Sequence, residues 1–213
     1  MASTRILLVR HGATTASAEE KFAGATDVEL SPDGLSQVRR LSERLHSMRI
    51  DAAYASPLRR AMLTATTIVD PHNLSPIPKS ELREIDHGHW EGVPHKEVEQ
   101  RFTDEYRAWS ADPVNTIITG GESGRQVLDR AVPAFQSIVR QHAGQTVLVV
   151  SHKATNRLVI AALLGIDLRR YRDRLDQDLA CLNVLEFASP AEASLVLLND
   201  TSHYDPHLSH PRS

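Results

Sequence analysis

Arginine and histidine side chains stand in this chain directly after three apolar runs that have the length of buried strands. They are Arg10 and His11 after the first run, Arg59 and Arg60 after the second, and His152 after the third. Because the carboxyl ends of parallel strands meet at one edge of a sheet, we expect these side chains to lie close together. Guanidinium forks and helix N-termini both bind dianionic phosphate. The pattern therefore predicts a phosphate site that contains a histidine.

Each of these residues taken alone also fits a plainer role. A histidine at the end of a strand is typical of a hydrogen-bonded turn, and an arginine pair in the first turn of a helix is typical of a solvated face. Only the combination of three strand ends favours the anion site.

Strand-like runs alternate with helix-like segments along most of the chain. Such alternation is typical of an α/β fold, and we expect three layers, α/β/α, around a mostly parallel central sheet, with a small inserted helical lobe at about residues 86–121. We expect one domain over residues 1–213, with a polar tail at about 204–213. The predicted strands are residues 5–9, 51–56, 145–152, 181–187 and 193–198, and the predicted helices are residues 31–48, 57–69, 94–109, 122–142 and 154–165.

Composition narrows the class of protein. A net charge of −3 over 213 residues disfavours a nucleic-acid binder. The single cysteine, Cys181, excludes an internal disulfide and is expected to be a small buried apolar residue. The first residues lack the apolar run of a signal peptide, and no run is long enough to span a membrane. We therefore expect a cytoplasmic protein with no membrane partner.

An ordered set of motifs resembles one known family. The motifs span about Ile6 to His203. They are similar to those of the histidine phosphatase superfamily, branch 1, whose members are phosphoglycerate mutase-like in fold. The segments are LVRHGATT, FAGATDVELSPDGLSQ, SPLRRAMLTA, LREIDHGHWEG, VLVVSHKATNRLVIAALLG and LLNDTSHY.

The resemblance implies a role for each matching residue. His11 would be the nucleophile that becomes phosphorylated, and Glu84 would be the general acid and base. Arg10, Arg60 and His152 would bind the phosphate. In this pattern the pocket arginine falls on Arg60 and not on its neighbour in the chain.

The chemistry sets further requirements on these residues. A neutral imidazole attacks through one nitrogen, so Nδ1 of His11 should donate to a carbonyl near the Gly12 turn. We expect Gly12 to leave room for the phosphate. A protonated His152 and two arginines would neutralise the phosphate, and a protonated Glu84 would supply the proton for the leaving alcohol. Neither a metal nor another cofactor is expected.

The chain departs from the common family pattern at the rim of the predicted pocket. Ser17 stands where the family has a phosphate-binding asparagine, and we expect it to bind the phosphate through one hydrogen bond. Lys153 stands where a glycine usually follows the second histidine. Gly24, His87, Trp90 and Lys153 are candidate substrate contacts. These departures leave the identity of the substrate open.

Metal binding is the alternative interpretation of two groups of histidines. One group is His87 with His89, and the other comprises His203, His207 and His210. A substrate contact or surface loop is the favoured interpretation of the first group, and a polar tail that of the second.

The resemblance leaves three functions to weigh. The favoured one is a phosphomonoesterase that acts on a small phosphorylated metabolite through a phosphohistidine. The alternatives are a cofactor-dependent phosphoglycerate mutase and a non-catalytic phospho-ligand binding module. The inserted region is short for a mutase, and the complete set of catalytic residues disfavours a silent module. We expect a monomer or a homodimer.

Overall fold

A six-stranded sheet forms the centre of the molecule, in a computed structural model that describes residues 3–18 and 21–205. The strand order is β3-β2-β4-β1-β5-β6. The first four strands in that order are parallel, while β5 runs antiparallel to β1 and β6 runs antiparallel to β5. The strands are β1 Thr4–Arg10, β2 Ala52–Ala55, β3 Ile77–Pro78, β4 Thr146–Ser151, β5 Leu182–Ser189 and β6 Glu192–Asp200.

Helices cover both faces of this sheet, as the alternating pattern predicts. Ile6 and Leu8 of β1 pack with α6 and α7 on one face, and Leu7 and Val9 pack with α2 and α3 on the other. The three-layer α/β/α fold with a mostly parallel sheet is therefore confirmed. The helices are α1 Thr15–Ala18, α2 Pro32–Leu45, α3 Arg59–Val69, α4 His95–Arg101, α5 Thr103–Ala111, α6 Gly124–Gln141, α7 Lys153–Leu164 and α8 Tyr171–Arg174.

One predicted element is wrong. The single helix expected over residues 94–109 is two helices, because Phe102 leaves the helical conformation with φ −121° and ψ 43°. The change of direction brings Trp109 against Trp90, with ring centroids 5.4 Å apart. Both tryptophans belong to a separate apolar cluster with Phe22, Val98 and Ile118. Packing of these large rings accounts for the break, which helical periodicity alone does not reveal.

Two further expectations concern burial. Cys181 is completely buried as a free thiol, as predicted, and burial raises the pKa of this thiol to about 12. Among the helices within residues 3–18 and 21–205, none combines the length and the apolar character that crossing a membrane requires.

The turn after β1 is pressed against the start of α2. A Cβ atom on Gly12 would lie 2.7 Å from the carbonyl oxygen of Gly34, and one on Gly34 would lie 2.0 Å from the carbonyl oxygen of Ala13. The expected reason for Gly12 is therefore wrong: the Cβ that it lacks would meet α2. Because Gly12 and Gly34 have no Cβ, the backbone that follows β1 can contact the start of α2 directly beside His11.

This contact predicts an unusual result for a helical glycine. Replacing glycine by alanine inside a helix normally adds about 1 kcal/mol of stability. We expect Gly34→Ala instead to lower the free energy of unfolding by about 1–3 kcal/mol, because the new methyl group meets rigid backbone. The measurement is urea unfolding, and Ser36→Ala on the exposed face of α2 is the control. A Gly34→Ala protein as stable as that control would contradict the prediction.

Candidate functional site

A cavity of about 790 Å³ opens where β1, β2 and β4 end. These strands are neighbours in the sheet, so the predicted convergence of their carboxyl ends is what the topology produces. Of the predicted site residues, His152 and Trp90 do not line the cavity. Those that do are Arg10, His11, Ser17, Gly24, Arg60, Glu84, His87 and Lys153.

His11 is held with one ring nitrogen occupied. Its Nδ1 lies 2.8 Å from the carbonyl oxygen of Gly12, as expected from the chemistry. Because a carbonyl can only accept, Nδ1 carries the proton and Nε2 keeps its lone pair. Burial, together with the charges of Arg60 and Arg10, holds the pKa of His11 well below the usual 6.5. The ring is therefore a neutral imidazole near pH 7 with Nε2 available.

His152 lies beside His11 and is completely buried, with the two ring centroids 5.1 Å apart. Its Nε2 is 2.7 Å from the hydroxyl of Ser56, while Nδ1 is buried and has no hydrogen-bond partner. Burial and the charge of Arg60 keep the pKa of His152 well below 6.5. Before a phosphate binds, this environment disfavours the expected imidazolium. It fits a neutral ring that accepts from Ser56 and has an Nδ1–H to donate.

Arg10 and Arg60 are held by backbone carbonyls. Arg60, only 1% exposed, donates to the carbonyl oxygens of Thr26 and Gly24 at 2.7 Å each, and Arg10 donates to that of Gln177 at 2.6 Å. Within residues 3–18 and 21–205 neither guanidinium pairs with a carboxylate, and the Nε of each is buried without a partner. Buried cations without counter-charges are costly, so this arrangement suits an anionic ligand.

The neighbouring Arg59 points away from this group. It contacts Glu29 at 3.0 Å and Asp27 at 3.5 Å and is largely exposed. The structure therefore places Arg60, and not Arg59, at the cavity, in agreement with the motif.

Glu84 sits at the N-terminus of α7. Its Oε1 accepts from the backbone N–H groups of Ile85 and Thr155 at 3.0 and 3.1 Å. The Thr155 hydroxyl, which has one proton to donate, lies nearer to the carbonyl oxygen of Arg83, at 2.8 Å, than to Oε1, at 3.1 Å. Among the described residues, Oε2 accepts from the N–H of Ala154 alone, also at 3.1 Å. Arg130 of α6 binds the carbonyl of Glu84 at 3.1 Å and so holds this segment in place. Oε2 is the oxygen with capacity for a further partner.

Three residues that position the site were missed at the level of the sequence. Thr64 accepts from the N–H of Gly12 at 3.2 Å and donates to the carbonyl of Arg60 at 2.7 Å, which ties the two strand ends together. Glu91 accepts from the N–H groups of Ala25 and Thr26 at 2.6 and 2.9 Å, and so holds the loop whose carbonyls bind Arg60. Thr64 lies in the segment SPLRRAMLTA and Glu91 in LREIDHGHWEG, so their positions in the family motifs could have identified them.

The third missed residue is Gln177. Its backbone carbonyl accepts a hydrogen bond from Arg10. Its side chain is buried and forms hydrogen bonds with Asn183. The Gln177 amide donates to Asn183 at 2.7 Å and accepts from it at 3.0 Å. Nothing in the local sequence marks this residue, because the arginine that its carbonyl binds lies 167 residues away on β1.

The remaining candidates occupy different places. The hydroxyl of Ser17 lies 2.8 Å from that of Thr14, and both residues line the cavity. Burial lowers the pKa of His87 to about 4, and its ring meets the edge of Phe22. Trp90 is completely buried and donates to Glu105 at 3.0 Å, so its expected role as a substrate contact is wrong.

Within residues 3–18 and 21–205 no three His, Cys, Asp or Glu side chains are placed to hold a metal ion. His89 pairs with Glu105 at 2.7 Å on the exposed side of the lobe, away from His87. His207 and His210 lie outside the described residues.

Comparison with known proteins agrees with this geometry. The sequence model of the histidine phosphatase superfamily (branch 1) matches residues 6–201. The chain is 35% identical to phosphoserine phosphatase 1 of Hydrogenobacter thermophilus over 78% of its own length and 79% of that protein. It is 32% identical to the 2-carboxy-D-arabinitol-1-phosphatase of Triticum aestivum over 92% of its own length, but spans only 41% of that protein.

A solved structure gives the same result for the fold. Bacillus stearothermophilus YhfR superposes with a TM-score of 0.88 at 28% identity, over 95% of this chain and all of that one.

The buried histidines predict how stability depends on pH. The pKa values of His11 and His152 lie well below 6.5, and burial lowers those of His87 and His203 to about 4. The unfolded chain binds protons at these positions at a higher pH than the folded chain does. The free energy of unfolding should therefore fall as the pH is lowered from about 6.5 to about 4.

One substitution isolates a single proton of this effect. In His87→Phe the fall between these pH values should be shallower by about 1.4 kcal/mol per pH unit, because one titrating group is lost. Urea unfolding at a series of pH values measures the slope. Parallel curves for the wild type and His87→Phe would contradict the assignment.

Proposed function

The chain belongs to branch 1 of the histidine phosphatase superfamily, and from that premise we propose that it hydrolyses phosphate monoesters of small metabolites through a phosphohistidine on His11. One observation carries this proposal. The free Nε2 of His11 lies in a group with buried, unpartnered N–H donors on Arg10, Arg60 and His152. These donors suit the non-bridging oxygens of a phosphoryl group.

In the first step, Nε2 of His11 attacks phosphorus in line with the leaving alkoxide. The Nδ1–H remains bound to the Gly12 carbonyl, which stabilises the positive charge that develops on the ring. Arg10 and Arg60 stabilise the charge on the transferring group. His152 donates a hydrogen bond through its Nδ1–H. Its ring can do so while neutral, because Nε2 accepts a hydrogen bond from the hydroxyl of Ser56.

Glu84 carries the proton in both steps. Protonated at Oε2, it would donate to the departing alkoxide, and the carboxylate left behind would then take a proton from the water that attacks phosphohistidine. Oε2 is the oxygen for this role because Oε1 already accepts from two backbone N–H groups and Oε2 from one.

We infer that the two guanidinium groups supply the charge that a metal ion supplies in other phosphatases. Arginine forks match phosphate oxygens and carry their charge at every physiological pH. A cytoplasmic setting is part of the same proposal, and the buried free thiol of Cys181 is compatible with it.

Relatives with quite different alcohols support the reaction but not one substrate. The two relatives described above are named as phosphatases of phosphoserine and of 2-carboxy-D-arabinitol 1-phosphate, both phosphate monoesters. These relatives therefore support hydrolysis of phosphate monoesters by this chain, but they do not identify the alcohol part of its substrate.

Trapping the intermediate tests the nucleophile. After rapid quenching with a radiolabelled phosphomonoester, we expect acid-labile, base-stable label on His11, together with release of free phosphate. His11→Ala should lose the label and at least about a thousandfold in turnover, because no other group forms the covalent intermediate. Substitution of the exposed His46 by alanine is the matched control. Label retained in His11→Ala would refute the mechanism, and isomerised phosphoglycerate in place of free phosphate would indicate a mutase.

Leaving-group dependence tests the general acid. We expect Glu84→Gln to slow hydrolysis of an alkyl phosphate by about a hundredfold to ten-thousandfold. With p-nitrophenyl phosphate the loss in the phosphorylation step should be much smaller, because this leaving group needs no proton. Burst kinetics separate that step from hydrolysis of phosphohistidine, and Glu99→Gln on the surface of α4 is the control. Equal losses in phosphorylation by both esters would reject Glu84 as the acid.

A further inference from the structure

The cavity holds more positive charge than one phosphate requires. Among the described residues, seven Lys and Arg side chains and three carboxylates line it, in a chain whose net charge is −3. Arg10 and Arg60 suffice for a dianionic phosphoryl group. Three further cations, Lys153, Arg157 and Arg172, come from α7 and α8. We call these three residues the α7–α8 wall.

Lys153 has no counter-charge within the part of the chain that the structure describes. It is the first residue of α7 and forms no hydrogen bond or ion pair with residues 3–18 or 21–205. Burial and the nearby charges of Arg10 and Arg157 lower the pKa of Lys153. The nearest carboxylates are already engaged, Glu84 with the start of α7 and Asp178 with Asn199 at 2.7 Å. An ammonium group is thus available at the cavity.

The two arginines of the wall also have free donors. The guanidinium carbon of Arg172 lies 3.7 Å from the centre of the Trp109 ring, and its N–H groups have no acceptor among the described residues. A stacked guanidinium keeps its edge free for a carboxylate or phosphate. In the part of the chain that the structure describes, the one ion pair of Arg157 is with the highly exposed Asp176, at 3.4 Å, and its buried Nε has no partner.

The same cavity offers little to a planar ring. Phe22 and Trp109 line it but are only 4% and 5% exposed. Arg172 covers Trp109, and His95 stacks on Phe22 with ring centroids 3.9 Å apart. Neither of these two rings therefore offers an open face to an aromatic leaving group.

We infer that the preferred substrates carry a second anionic group, a carboxylate or a second phosphate, on the leaving alcohol, and that the α7–α8 wall binds it. This inference rests on the proposed phosphatase function and specifies its substrate class. It also assigns a role in substrate specificity to Lys153, which replaces the glycine that usually follows the second histidine in the family.

A matched pair of esters tests the inference. 3-Phosphoglycerate and sn-glycerol 3-phosphate have the same carbon skeleton and differ in a carboxylate against a hydroxymethyl group. We expect kcat/KM to favour 3-phosphoglycerate by about tenfold or more, the size of one charge-assisted hydrogen bond. Propane-1,3-diol bisphosphate is the third substrate, and its rank against 3-phosphoglycerate shows whether carboxylate or phosphate is preferred.

Substitutions then assign the preference to the wall. Lys153→Met should reduce the preference to about twofold or less, and its kcat/KM should fall more for 3-phosphoglycerate than for p-nitrophenyl phosphate, because the second ester has no second anion. Arg172→Met should act in the same direction and covers the case in which Lys153→Met disturbs His152. Lys79→Met, outside the cavity, should retain the full preference.

The outcomes separate this inference from the proposed function. Equal kcat/KM for the matched pair in the wild type, or an undiminished preference in both wall variants, would overturn the inference and leave the phosphatase proposal standing. If no ester is hydrolysed, the phosphatase proposal fails, and calorimetric binding of the same pair decides the subsite: tighter binding of 3-phosphoglycerate supports it, and equal binding overturns it.

Discussion

Two guanidinium groups that have no carboxylate partner among the described residues, on Arg10 and on the buried Arg60, are the constraint on which the rest of this site depends. Arg10 and Arg60 must be held still, and any carboxylate used for that purpose would cancel the charge that a phosphate needs. The chain uses backbone carbonyls instead, at Gln177, Gly24 and Thr26. Acidic groups act one step further out: Glu91 holds the loop and not the arginine. Rigid placement and undiminished charge are thereby obtained together.

Much of this arrangement could be predicted from the sequence because it follows from topology. Residues at the ends of parallel strands share one edge of the sheet, and β1 and β4 are direct neighbours. His11 and His152 follow those two strands, so their contact needs no further information. The three-layer fold was equally accessible, since alternate residues of β1 face opposite helical layers.

Other features could not be predicted, because they depend on contacts between segments far apart in the chain. Gly12 and Gly34 are both required where a turn touches a helix, and a single motif does not show the partner. Gln177 binds Arg10 from a loop 167 residues away. The break at Phe102 follows from the packing of large rings and not from helix propensity. Local patterns show which residues carry the chemistry, whereas the positioning residues emerge only from packing.

The charges of Arg10 and Arg60 act differently on His11 before and after a phosphate binds. Before phosphate binds, Arg60 and Arg10 add to burial in lowering the pKa of His11, which keeps its nucleophilic lone pair free. A bound dianion offsets these charges and so favours positive charge on the same ring. Transfer of the phosphoryl group to Nε2 creates that charge, with Nδ1 already donating to the Gly12 carbonyl. The substrate therefore brings the counter-charge that its own covalent intermediate requires, and an uncharged ligand in this site would leave His11 neutral and unreacted.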